Sequence, residues 1–335
     1  MSKAAGHTGL PHSKGKKMKL ITKGLILSLL VATGLMAEES KAPANAANDV
    51  RVFTSDNSDG KITPATIEEA FVKAGFVIAA NNDMNVPFKR DFNTTSFDVY
   101  NLFVVYRKDT VLALAEQYPK IGLFSPMSMS IYTKKGTKTI SVSSLSAAGM
   151  AKLMDIPADN EAINALGKKV EETLKAAMPK GQFETLPYAM KEPAGPLVTN
   201  VTFEVEDDDW ESAKEDLEMN FEEVLAPNGF VMAGFTDLGY DLEEEDKEWY
   251  HFYDVYSICS IPVIYAVAIK HPEAGAFAPC SIYLYQKSGE KKINMAFPSV
   301  HKWISSLNIE DKESLDVLMD AQKKLEKIFA TFAEK

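Results

Sequence analysis

His271–Gly289 reads HPEAGAFAPCSIYLYQKSG, and an earlier stretch of the same chain, Tyr118–Gly136, reads YPKIGLFSPMSMSIYTKKG. Aligned without a gap, 8 of the 19 positions are identical: Pro119/Pro272, Gly122/Gly275, Phe124/Phe277, Pro126/Pro279, Ser128/Ser281, Tyr132/Tyr285, Lys134/Lys287 and Gly136/Gly289. Proline fixes φ and glycine supplies the turn conformations closed to other residues. Two prolines, a glycine and an aromatic at fixed offsets therefore describe a rigid loop that enters a strand ending in a Gly turn.

Outward from this pair the chain keeps repeating. Gly75-Phe76-Val77 is answered by Gly229-Phe230-Val231, Glu68-Glu69 by Glu222-Glu223, and Asp98-Val99-Tyr100 by Asp254-Val255-Tyr256. Val99–Tyr106 is an apolar run of strand length, with a polar loop expected over Asn81–Ser96 before it. Ile163, Leu166, Val170 and Leu174 recur at helical spacing, as do Leu315, Leu318, Leu325 and Ile328 near the end. The expected fold class is α+β, with two homologous domains, each an antiparallel-rich sheet covered by helices in the order β-α-β-β-α-β-β-α-α. The first repeat spans residues 50–178, a Pro-rich linker 179–197, and the second repeat 198–335.

The amino terminus predicts export. Residues 1–37 hold six Lys and no acid, and Gly24–Ala37 is an unbroken apolar run too short to span a bilayer. Cleavage is expected near Ala37, and residues 38–49 form a flexible spacer. A periplasmic protein with no membrane span after signal removal follows from this reading. The chain carries 36 Lys+Arg against 47 Asp+Glu, and residues 191–335 hold 13 against 29 of these. Such an acidic balance excludes a phosphate-backbone partner, which needs basic surface to displace counterions.

The segment from Phe252 to Gly289, with DVYSIC, HPEAGAFAPC and an aromatic-rich strand, resembles the domain-of-unknown-function family 302. The first copy resembles it too, through VYNLF and YPKIGLFSPMS. The resemblance implies a compact α+β domain, sometimes exported, with no settled activity and no catalytic residues to carry over.

Chemistry-bearing residues are few. Cys259 and Cys280 are the only cysteines, 21 residues apart in the second copy. A structural disulfide, unpaired buried thiols and a functional thiol site all remain open for them. A soft metal set would join them to His271, His251 and His301, though these spacings match no ligand pattern. No G-x-S-x-G, P-loop, G-x-G-x-x-G or H-E-x-x-H occurs. The repeated loop residues share shape rather than acid–base chemistry. The sequence therefore points to a non-enzymatic module that binds a small molecule or an envelope protein, with no cofactor. The alternative is an envelope redox or copper/zinc protein working through Cys259, Cys280 and His271.

Overall fold

The computed structural model describes residues 48–205 and 209–333. The expected export signal, and the spacer up to residue 47, lie outside the described residues. Among those that are described, no helix is long and apolar enough to cross a membrane.

The first half runs β1 (Val50–Asp56), α1 (Pro64–Lys73), β2 (Val77–Asp83), α2 (Asn85–Phe92), β3 (Phe97–Tyr106), α3 (Lys108–Leu114), β4 (Met127–Lys134), β5 (Thr139–Leu145), α4 (Ala147–Met154) and α5 (Glu161–Ala177). A two-residue strand β6 (Gln182–Phe183) follows. The second half runs β7 (Val198–Glu204), α6 (Trp210–Leu225), β8 (Val231–Asp237), α7 (Leu238–Glu243), β9 (Tyr250–Cys259), α8 (Ile261–Ala268), β10 (Cys280–Lys287), β11 (Lys292–Pro298), α9 (Val300–Ser306) and α10 (Lys312–Ala333). Every strand pairing is antiparallel. The sheets run β2-β3-β4-β5-β1-β6 and β7-β11-β10-β9-β8. Read from the other edge, the second sheet has the order of the first without β6. The fold is α+β, two antiparallel sheets covered by helices.

Local chemistry explains the elements. The last seven residues of β3 are all buried, as expected of a strand covered on both faces. In α5 the buried residues Ile163, Leu166, Val170 and Leu174 form the stripe that the sequence spacing predicts. Thr63 and Thr66 cap the start of α1 reciprocally, and the Asp209 side chain caps α6. Gly136 and Gly289 each sit at φ 76°, closing the β4–β5 and β10–β11 turns in a conformation that disfavours side chains.

Two expectations are corrected. The polar stretch 81–96 holds the end of β2 and the short helix α2, and α7 occupies the same place in the second half. The order is thus β-α-β-α-β-α-β-β-α-α in each half. Both helices have eight residues or fewer, too short for periodicity to register. Further, Tyr100 lies opposite Tyr132 on the neighbouring strand, and Tyr253 lies opposite Tyr285. Asp98-Val99-Tyr100 therefore corresponds to His251-Phe252-Tyr253, three residues earlier than the Asp-Val-Tyr match suggests.

The described residues form one compact unit. A single hydrophobic core draws on both sheets, and a smaller one lies where α6 and α10 cover the second sheet. The repeated loops make the junction, because each docks on the opposite half. Tyr100 donates its hydroxyl to the Pro272 carbonyl at 3.1 Å, and Ser130 Oγ donates to the same carbonyl at 2.8 Å. In the other direction the Tyr253 hydroxyl donates to the Pro119 carbonyl and accepts from Gly122 N–H at 2.8 Å. Ser128 Oγ donates to Pro279 O at 2.8 Å, and Ser281 Oγ to Pro126 O at 3.3 Å. Both Ser125–Pro126 and Ala278–Pro279 are cis.

The segment 179–197 is held along its length. β6 pairs with β1, Tyr188 donates to Glu273 Oε1 at 2.9 Å, Lys191 N–H donates to Ser305 O, and Leu197 O accepts from Ser299 N–H.

Candidate functional site

The first turns of α6 overhang the second sheet. Helix α6 has 16 residues against 10 in α1, and the extra length lies at its start. Between this overhang, the β8–α7 junction and the beginning of β9 lies a cavity of about 660 Å³. That volume suits a small organic molecule.

Four aromatic side chains line it: Trp210 from α6, Tyr240 from α7, and Tyr250 and Phe252 from β9. Trp210 stacks on His251 with ring centroids 5.3 Å apart and planes 15° from parallel. His251 is oriented in turn by the β10–β11 turn, since its Nε2 accepts from Gly289 N–H at 3.1 Å. That bond requires an unprotonated Nε2. In the first half Asp98 takes this role, its Oδ2 accepting from Gly136 N–H at 2.9 Å.

The polar lining comprises Glu211, Asp237, Glu243 and Glu248 with Lys214 and Lys247. Asp237 Oδ1 caps α7 by accepting from Tyr240 N–H at 2.7 Å. Beneath Lys214 lies Asp254, on β9 directly across from Asp237 and fully buried. Lys214 Nζ is 2.9 Å from Asp254 Oδ2 and 3.8 Å from Glu218 Oε1. The ammonium lies off the direction of a hydrogen bond, so both Asp254 oxygens are buried without a directed donor. Burial pushes the Asp254 carboxyl up to about 7 even though Lys214 opposes it, while Lys214 itself is held above its ordinary value because Asp254 and Glu218 outweigh its own burial. The corresponding residue in the first half is the neutral Asn101, which donates to Asn81 Oδ1 at 2.9 Å.

Of the residues nominated from the sequence, His251 alone lines this cavity. Cys259 and Cys280 are free thiols that share the wall of a small apolar cavity of about 30 Å³, with Trp303 and Phe297 among its other walls. Burial pushes the Cys280 thiol up to about 12, and burial together with Cys280 raises Cys259 further. Neither has the electropositive setting that activates a thiolate. His271 lies 3.7 Å from both Glu273 and Asp311, and His301 packs on Gly195 of the 179–197 segment. Among the described residues no three His, Cys, Asp or Glu side chains are grouped to hold a metal ion. Pro119, Gly122, Phe124 and Pro126, with Pro272, Gly275, Phe277 and Pro279, form the two docking loops. Sequence reasoning passed over Trp210, Lys214 and Asp237, since a lone Trp or Lys on a charged helix carries no local signature.

No curated protein matches the chain. A solved structure described as an uncharacterized conserved protein DUF302 from Bacillus stearothermophilus is 19% identical, covering 39% of this chain and 95% of its own, with a TM-score of 0.32. Residues 209–332, which supply every wall of the 660 Å³ cavity, match the family described as "Domain of unknown function DUF302".

Proposed function

We propose that the chain is an exported tandem repeat of this domain, in which the second copy binds a small molecule without transforming it. The cavity under the α6 overhang carries the reading. It combines ligand-sized volume, four aromatic rings and a few placed polar groups, the usual make-up of a small-molecule site. His251 and Asp237 on the lining, and Asp254 behind it, are already committed. His251 Nε2 is engaged by the Gly289 amide, Asp237 caps α7, and Asp254 is shielded by Lys214. Glu211, Glu243 and Glu248 keep free lone pairs on the lining, but among the described residues no side chain is bonded to any of them to orient it as a base, and this arrangement favours holding over reaction. The shared strand order and the reciprocal loop contacts support descent of both halves from one domain, and the apolar amino-terminal run supports export.

A ligand-observed NMR screen of small anionic, neutral and cationic compounds tests the binding role. Ser288→Trp, at an exposed position on the cavity rim, places an indole in the opening without touching a core. Compounds that bind the native protein and lose binding in Ser288→Trp support the reading. Binders indifferent to Ser288→Trp, or no binders at all, contradict it.

A further inference from the structure

We infer that the cavity under the α6 overhang takes a small organic cation, an amine or quaternary ammonium compound. The inference rests on the cavity being the binding site and names its ligand class. Trp210, Tyr240, Tyr250 and Phe252 line one space, and although Tyr250 packs on Tyr253 and Tyr285, Phe252 already carries an ammonium, with Lys214 Nζ 5.5 Å from its ring centroid. An alkylammonium group gains attraction over aromatic faces that increases as water is excluded. The carboxylates outnumber the cations around them. Among the described residues no Lys, Arg or His lies within ion-pair distance of Glu211, Glu243 or Glu248, while Lys214 is already matched by Asp254. Lys247 sits over the Trp249 ring at 5.8 Å, and the imidazole of His251 offers an unprotonated Nε2 to the Gly289 amide.

An anion finds no comparable welcome. The start of α6 opens on this cavity and could attract negative charge. Its Ser212 amide, however, is taken by the carboxylate of Asp209. The field of the whole second half acts the same way, since residues 191–335 hold 29 acids and 13 Lys+Arg. A charge imbalance of that sign draws cations toward a cleft with low-dielectric walls.

Titration calorimetry at low ionic strength with choline, spermidine and succinate tests the ligand class. Choline, spermidine or both are expected to bind saturably, with affinity falling as salt is raised, and succinate is expected not to bind. The double variant Glu243→Gln/Glu248→Gln changes two exposed carboxylates to isosteres that leave folding intact. It is expected to weaken the cation by about three- to tenfold, the range for a pair of partly solvated charge contacts. Choline reports a quaternary site, and spermidine without choline reports one that counts charges. Succinate binding without either cation overturns the inference, as does cation binding indifferent to both Ser288→Trp and the double variant. If the screen with Ser288→Trp finds only neutral or anionic ligands, the cavity remains a binding site and the cation assignment alone falls.

Discussion

Gly275 lies so close to Ser130 that a Cβ placed on it would sit 2.3 Å from Ser130 Cβ. Gly122 stands in the same relation to Tyr253, where an added Cβ would come within 2.8 Å of the hydroxyl. Each glycine of the repeated loop is therefore required by the opposite half rather than by its own turn. Gly275→Ala is expected to destabilise by about 1–3 kcal/mol through overpacking. Gly122→Ala is expected to cost a similar amount, because the added atom would also come within 2.9 Å of Tyr283 Cβ, which cannot swing away. Both variants should lower the denaturant midpoint of the whole compact unit. Unfolding of one half at unchanged midpoint of the other, followed by resolved tryptophan and far-ultraviolet signals, would count against the interlocked junction.

The beginning of the described chain is fastened by a buried charge cluster. Asp49 Oδ2 accepts from Lys302 Nζ at 2.6 Å and Ser306 Oγ at 2.6 Å, with Lys152 Nζ at 3.2 Å. Burial alone would raise the Asp49 carboxyl, but Lys302, Ser306 and Lys152 together hold it below the usual range. Lys302 is fully buried on α9, where burial outweighs Asp49 and pushes it down to about 8. Asp49→Asn leaves that ammonium without its counter-charge and is expected to cost about 3–5 kcal/mol. Lys302→Met removes the buried charge itself and should cost less, since Asp49 keeps Lys152 and Ser306. Chemical denaturation at pH 7 checks the order. Equal losses would mean that desolvation of Lys302 does not govern the cluster.

Asp254 is expected to make stability depend on pH with an unusual sign. Its carboxyl is raised from 3.8 to about 7, so between those values the folded chain keeps a proton that the unfolded chain has released. Stability from this group therefore falls as pH rises through the window, and its full cost is present above pH 7. Asp254→Asn removes the cost, which is on the order of 2–4 kcal/mol. Lys214 loses a partner but keeps Glu218 at 3.8 Å and is 22% exposed, which limits the penalty in return. The melting temperature of Asp254→Asn relative to the native protein should rise from pH 4 to pH 7 and then level. A gap that stays constant or narrows with rising pH would contradict the buried-carboxylate assignment.

Cys259 and Cys280 are expected to behave as inert thiols. Labelling of the native protein by a thiol reagent at pH 8 should be slow, and unfolding without reductant should release two reactive thiols. Release only after reduction would mean that the pair is bonded. Rapid labelling of the folded form would mean that one thiol is accessible and activated.

The elements that were legible in the sequence are those whose signals are local. The stripe of α5, the apolar run of β3 and the Gly136 and Gly289 turns each declare themselves within a few residues. Helices α2 and α7 did not, because one or two turns leave no measurable period. The docking of the loops was hidden for a different reason. Gly122 meets Tyr253 across 131 residues of chain, and nothing near Gly122 records which surface it approaches. Identity between the two stretches marked the loop residues as constrained without revealing that the constraint comes from the opposite half. The cavity was less legible still. His251 drew notice as a metal candidate, whereas its position as a stacking partner of Trp210 depends on six extra residues of helix that the first half lacks.

The most direct measurement of the proposed site is fluorine NMR of protein labelled with fluorotryptophan. The chain holds three Trp, so three resonances report Trp210 on the cavity wall, Trp249 beside it in sequence and Trp303 in the core. Titration with a compound that passes the Ser288→Trp screen should move the Trp210 resonance saturably and leave Trp303 in place. A saturable shift confined to Trp303, or binding that leaves Trp210 unmoved, would contradict the assignment of this cavity as the ligand site.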